Sequence, residues 1–306
     1  IPEKYREMVK GFIINRFRGD IGLFDDGVNW IEAQTGKKVF GVLPWYSHFR
    51  VDAEDSVEIE KIDSAKPLNP DLPTIAVLRL PHIANFTDFH ALSRIKGLQV
   101  LFIDSPQALS TFNAVIIPGS KNTREDLDWV KNRFETTLKS YVEQGGHVLG
   151  ICGGYQMLGR TVEDPNGLEG TPGISKGLDL LPVETVLKSP KTTTLSKFEW
   201  EGARGRGYEI HMGYTRLVSG KPFIDILSRN TKSCSEKDGC ISSSGRVAGT
   251  YIHGFFDSGK IATKWFRMIG LSPLPEERDA AAEKERDYGL LKSHMETYID
   301  METMIF

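Results

Sequence analysis

Cysteine is scarce in this chain, and neither sign of charge prevails. Three cysteines in 306 residues, an odd number in a long sequence, exclude a disulfide framework and point to a reducing compartment, the cytoplasm. A formal charge of −3 gives neither nucleic acid nor an anionic membrane a reason to bind. No apolar run reaches the length of a membrane span, and there is no secretory signal. No Gly-x-x-x-x-Gly-Lys-Ser/Thr string occurs, so the backbone cradle of a phosphate loop is missing. Cys234 and Cys240 sit in the polar stretch 232–244 without a second close-spaced Cys/His pair, which argues against zinc. They read as free thiols in an exposed loop. Internal repeats and low-complexity segments are lacking as well.

What is present alternates between short apolar runs and amphipathic stretches. Residues 9–17 read as a buried strand, 21–35 as a helix ending near Gly36, and 38–44 as a second strand stopped by Pro44. One β-α-β unit implies a parallel pair but cannot bury its own faces. Residues 1–63 are therefore expected to be the tail of a larger α/β domain, with strand edges exposed to partial disorder or self-association. The chain opens Ile1-Pro2, without methionine, and is expected to be a fragment. A proline-bearing linker is expected over 64–73. From residue 74 to 262, strands at 74–78, 100–103, 114–117 and 147–151 alternate with helices within 86–95 and over 127–143. The expected fold is α/β, with a doubly wound, mostly parallel sheet of flavodoxin-like type and chemistry at the carboxyl ends of its strands. Residues 180–187, 207–216 and 246–253 are more β-like. Residues 263–306 are expected to form a helical extension, with one terminal helix over 280–304.

The most informative run is Gly150-Ile151-Cys152-Gly153-Gly154-Tyr155-Gln156. A cysteine framed by glycines, where a strand passes into a helix, is the pattern of a nucleophile held on a strained turn. Glycines remove the Cβ atoms that would clash there. Amides that open the next helix favour the oxyanion formed by nucleophilic attack. A buried cysteine used only for packing is the ordinary alternative, but it has no need of flanking glycines.

A nucleophilic thiol needs a base, and the sequence offers seven histidines. His253 leaves the apolar run 247–252 beside Gly254, where an imidazole can face the top of a sheet; a hydrogen-bonded strand-end histidine fits equally well. His211 competes for the role. Strand alternation puts it on the same face as Glu209, an arrangement suited to recognition, mutual orientation or plain pairing. His147 reads as structural. Pro118-Gly119-Ser120 ends a strand, where a glycine lets backbone amides approach an oxyanion.

Five segments in order resemble the class I glutamine amidotransferases, and among them the cobyric acid synthase family, over essentially the whole chain. They are residues 80–89, residues 118–123, residues 150–159, Tyr208-Glu209-Ile210-His211-Met212 within 207–213, and Tyr251-Ile252-His253-Gly254 within 251–257. The resemblance implies Cys152 as nucleophile toward the glutamine side-chain amide and His253 as its base. It implies Gly119, Ser120 and Gly153 as the oxyanion hole; Asp257, Glu209, His211, Tyr208 and Gln156 are candidates for orienting or binding substrate. It further implies a thioester intermediate and ammonia passed to an ATP- and Mg-dependent site that amidates the carboxylates of cobyrinic acid a,c-diamide, a corrin. Related possibilities are cobyrinic acid a,c-diamide synthase and the amidotransferase of cell-wall muropeptides. A stand-alone cysteine hydrolase and a catalytically dead scaffold remain alternatives of another class.

Two departures from that pattern carry expectations. Many class I amidotransferases place a glutamate two residues after the histidine; here that position is Phe255. The site is expected to resemble a Cys-His dyad, with Asp257 as a candidate substitute, and to have a sluggish base and slow glutamine turnover unless the synthetase site is engaged. The second departure is the missing phosphate loop. Residues 1–63 resemble only the end of a dethiobiotin-synthetase-like ATP-binding domain, with Asn15 in the region that approaches the nucleotide base, although a polar strand-end turn fits there too. No cofactor is expected to be bound by this chain itself.

Overall fold

The computed structural model describes residues 2–49, 68–275 and 279–304. The chain divides into two compact units, residues 1–52 with 281–306 and residues 53–280.

In the first unit, β1 (Gly11–Phe17) and β2 (Lys38–Pro44) pair in parallel, as the β-α-β reading requires. The segment between them is split. A short 3-10 turn, Ile21–Leu23, precedes α1 (Asp25–Thr35), which ends on Gly36 in the left-handed region at φ 64°. The expected 263–306 extension is also divided. Helix Gly259–Met268 belongs to the second unit. The terminal helix Ala280–Tyr298 and the short turn Met301–Met304 instead complete the first unit. There Ile299 bridges Gly41, Asp300 N–H donates to Phe40 O, and Ile299 packs with Phe40 and Leu43. The terminal helix breaks at Ile299 because that residue pairs with the strand. The expected 64–73 linker and the end of the 1–63 segment fall largely outside the described residues.

The second unit is built on a six-stranded sheet. Its order is Cys240–Ile241, Val247–Thr250, Val148–Ile151, Ala114–Ile117, Thr74–Leu78, Gln99–Ile103. All neighbours are parallel except the first pair. Every residue of the strands at 74–78, 114–117, 148–151 and 247–250 is buried, as continuous apolar runs in a covered parallel sheet require. Helix Thr123–Glu143 starts under Asn122, whose side chain accepts from Glu125 N–H. It buries Leu127, Val130, Phe134, Leu138 and Tyr141 along one stripe. From the strand at 74–78 the chain goes first to one neighbour, 99–103, and then back past it to 114–117. The loops after 78 and 117 therefore open a crevice where the strand order reverses, the place where such sheets bind ligands.

A five-stranded antiparallel sheet, ordered Lys232–Asp238, Ile224–Arg229, Thr192–Trp200, Ala203–His211, Ile252–His253, brings a second wall to that crevice. The expected strand 207–216 is cut at Gly213, φ 92°, and its remainder Tyr214–Leu217 joins a separate four-stranded sheet. The expected exposed loop around Cys234 and Cys240 is a correction too. Cys234 sits within a strand, and Cys240 is fully buried, with its thiol pushed up to about 11 by desolvation. Both are free thiols. Among the described residues no helix is long and apolar enough to cross a membrane.

Candidate active site

Strand Val148–Ile151 delivers Cys152 to the crevice, and helix Gly153–Leu158 leaves from it. Cys152 is held at φ 52°, ψ −109°, a conformation that costs a side-chain-bearing residue about 1–3 kcal/mol. The glycines around it are obligatory for space. A Cβ on Gly154 would stand 2.0 Å from Ile117 O, and one on Gly150 would stand 2.7 Å from the Gly154 backbone. The Cys152 thiol, 6% exposed, donates to Ile210 O at 3.6 Å.

His253 arrives from the other sheet. Its strand pairs antiparallel with residues 208–209, so that Tyr208 lies opposite His253. The Tyr208 ring stacks on the imidazole at 5.0 Å. Gly207 permits the close approach: a Cβ there would meet His253 O at 2.2 Å. The imidazole is fully buried and bonded at both nitrogens. Nδ1 lies 2.7 Å from Asp88 Oδ2, and Nε2 faces Asn85 Nδ2 at 3.2 Å. Desolvation alone would lower its pKa. The Asp88 carboxylate and the Cys152 side chain outweigh burial through charge and hydrogen bonding, and raise it to about 10. His253 is thus the histidine beside Cys152. Gly119 fills the remaining corner: a Cβ there would lie 3.3 Å from His253 Cε1 and 3.7 Å from Cys152 Cβ.

The candidate oxyanion donors divide by strand alternation. Lys121 N–H donates to His82 O, and Ser120 lies opposite Ile83. Ser120 is therefore in a non-hydrogen-bonded pair, with its amide turned away from that ladder, while Gly119 N–H is turned toward Ala84. A Cβ on Gly153 would stand 2.9 Å from Ser120 N, so the Ser120 amide lies beside Gly153 next to the nucleophile. Gly119 contributes room rather than a donor. Asp126, fully buried, braces this strand. It accepts from Ser120 Oγ at 2.6 Å and from His82 N–H at 3.2 Å, and pairs with His82 Nδ1 at 3.0 Å.

The other candidates have structural partners. Glu209 takes Arg229 in a fork at 2.8 and 3.0 Å and Ser196 Oγ at 2.6 Å. Burial would raise its pKa, but hydrogen bonds from His211, Arg229 and Ser196 bring it down to about 2. His211 does share a face with Glu209, Nε2 to Oε2 3.8 Å, and stacks on Tyr251 at 3.7 Å. Gln156 is buried and spent internally: Nε2 donates to Met212 O and Tyr251 OH, and Oε1 accepts from Thr123 Oγ1. Asn15 is exposed and belongs to the first unit.

Where the sequence led to a dyad, the structure sets a carboxylate against the imidazole. The carboxylate on the His253 ring is Asp88, and neither position 255 nor Asp257 supplies it. Position 255 instead holds a phenylalanine packed among Phe198, Trp200, Phe223 and Phe256, an aromatic cluster that offers a carboxylate no partner. Asp257 instead lies beside the Gly254 backbone and acts on Tyr208 through charge. Sequence reading passed over Asp88 although it lies inside the segment 80–89. Its one local signal is an acid flanked by Thr87 and Phe89 in an apolar stretch, a place where a carboxylate needs a partner.

Comparison with known proteins identifies the domain that carries these residues. Residues 74–261 match the CobB/CobQ-like glutamine amidotransferase domain. The cobyric acid synthase of Chlorobium phaeobacteroides strain BS1 is 43% identical over 98% of this chain and 61% of its own length. That of Roseiflexus castenholzii is 43% identical over 90% of this chain and 56% of its own. The chain thus spans about three fifths of the length of these relatives. Among solved structures, PurLQS from Thermotoga maritima is matched at a TM-score of 0.47 and 15% identity, over 72% of this chain and 99% of that one. With its doubly wound sheet and matching domain, the chain belongs to the CobB/CobQ-like family of glutamine amidotransferases, which are enzymes.

Proposed function

We propose that this chain hydrolyses glutamine through a Cys152 thioester and supplies the ammonia for cobyric acid synthesis. One observation carries the reading: a cysteine on a strained elbow beside a buried imidazole held at its far nitrogen by a carboxylate. The Cys152 thiolate attacks the carboxamide carbon, and the oxygen takes the electron pair as an oxyanion. The Ser120 and Gly153 amides stabilise that oxyanion. The His253 imidazolium gives its Nε2 proton to the leaving nitrogen, and ammonia departs as the C–N bond breaks. Water, deprotonated by the now neutral imidazole, attacks the thioester and releases glutamate.

In the whole enzyme, ATP and Mg would activate the carboxylates of a corrin, cobyrinic acid a,c-diamide, as acyl phosphates for the ammonia to attack. These 306 residues contain no phosphate loop, so that half of the reaction is not assigned to them. The test is to trap the thioester. With glutamine and hydroxylamine, the chain should form γ-glutamyl hydroxamate, and Cys152→Ala should form none. Cleavage of peptides instead of glutamine would favour a general cysteine hydrolase.

A further inference from the structure

We infer that Asp88 is the positioning carboxylate of this site, completing with Cys152 and His253 a triad whose acid comes from the loop after the first strand of the sheet rather than from the segment after the histidine. The inference rests on the glutamine reading and deepens it. Asp88 is 2% exposed and spends its two oxygens on two consecutive residues. Oδ2 takes the His253 ring at 2.7 Å, and Oδ1 accepts from Gly254 N–H at 2.8 Å. A single carboxylate therefore fixes both the plane of the imidazole and the backbone that carries it. With Nδ1–H held by Asp88, the ring must present Nε2 to the crevice, the tautomer that can accept the thiol proton. The apolar cluster around Phe255 explains why the acid comes from elsewhere: the sheet core occupies the position where amidotransferases with a histidine-following glutamate carry theirs.

The groups that bear on His253 from every side are few. Asp88 and Asn85 lie in the loop at the switch point, Cys152 lies at the elbow, and Tyr208 is on the paired strand. Asp257 follows on its own segment and acts on Tyr208. Among them Asp88 and Cys152 raise the imidazole's pKa, so losing Asp88 should release the ring proton at lower pH.

The experiment uses the full chain and the diazoketone analogue of glutamine, with rate and affinity of Cys152 labelling measured across pH for wild type, Asp88→Asn and Asp88→Glu. Asparagine keeps an oxygen for Gly254 N–H, so the fold should hold. Its NH₂ faces Nδ1 and forces the wrong tautomer. The maximal labelling rate should fall by roughly 10²–10⁴-fold, with affinity changed only a few-fold and the alkaline limb moved to lower pH. Glutamate keeps the charge; it should recover at least roughly tenfold over asparagine and hold the limb near the wild-type position. If Asp88→Asn does not fold, Asp88→Ser takes its place as the neutral variant, with the same loss of rate and the same shift of the limb expected. Wild type labelled at Cys152 with rate and limb unmoved in the neutral variant would overturn the role of Asp88 alone. Wild type not labelled at all would overturn the glutamine reading and this inference with it.

Discussion

At the scale of single residues, the site is a problem of space solved by glycine and a problem of buried charge solved by a neighbouring carboxylate. Gly154 lies against Ile117 O, a backbone atom that cannot swing aside. Gly154→Ala should cost about 3 kcal/mol, the upper end for overpacking, measurable by chemical denaturation. Gly119→Ala is the more discriminating change. Its methyl would sit 3.3 Å from the His253 ring, tight enough to shift the imidazole by a few tenths of an ångström. The fold should survive, while glutamine turnover falls about tenfold, since small misplacements of reacting groups are costly. The raised pKa of His253 also sets a sign. Its charged form contributes stability that is fully present below about 6.5 and is lost as pH rises through about 10. The elbow at Cys152 was legible because glycines frame it, whereas at His253 the local pattern fitted a plain strand-end histidine equally well. Asp88 was not, because its partner lies 165 positions away and a lone acid in an apolar stretch does not name the group it serves.

At the scale of elements, strand Ala203–His211 links chemistry to stability. Gly207 and Tyr208 meet His253, and the next residue, Glu209, is anchored to Ser196 on the adjacent strand and to Arg229 on the strand beyond it. Glu209→Gln takes the buried one of two carboxylates from the half-buried Arg229 guanidinium, which keeps Glu236, so it should cost about 2 kcal/mol at neutral pH. With the folded pKa depressed to about 2 from 4.5, that contribution is present above about 4.5 and vanishes as pH falls through about 2. Acid titration of wild type and variant should therefore converge toward pH 2; a gap that persists below it would contradict the assignment. Element identity was legible where apolar runs are continuous: the strands at 74–78, 114–117 and 148–151 are read directly from sequence. Breaks were not. Gly213 looks like any glycine until two sheets are seen to part there. The end of helix Ala280–Tyr298 is set by Ile299 pairing with Gly41, a contact made far along the chain.

At the scale of the whole molecule, two units share one chain unevenly. The first is stitched from both ends, with Ile299 against Phe40 and Leu43 and Lys38 on Asp300. Removing residues 281–306 should strip that unit of hydrogen-exchange protection around Val39 to Leu43 while Cys152 labelling in the second unit persists. The single C-terminal extension read from sequence failed because helical periodicity shows a face to be covered but not which unit covers it. The absent phosphate loop gives a further expectation: calorimetry should detect no micromolar ATP binding. The account stands most directly on the reaction of one sulfur. After incubation of the full chain with the diazoketone analogue of glutamine, peptide mapping by mass spectrometry should find a single adduct, on Cys152. Glutamine should suppress it, and His253→Ala should slow it about a hundredfold or more. An adduct on Cys234 instead, or labelling indifferent to glutamine and to His253, would contradict the assignment of this crevice as a glutaminase.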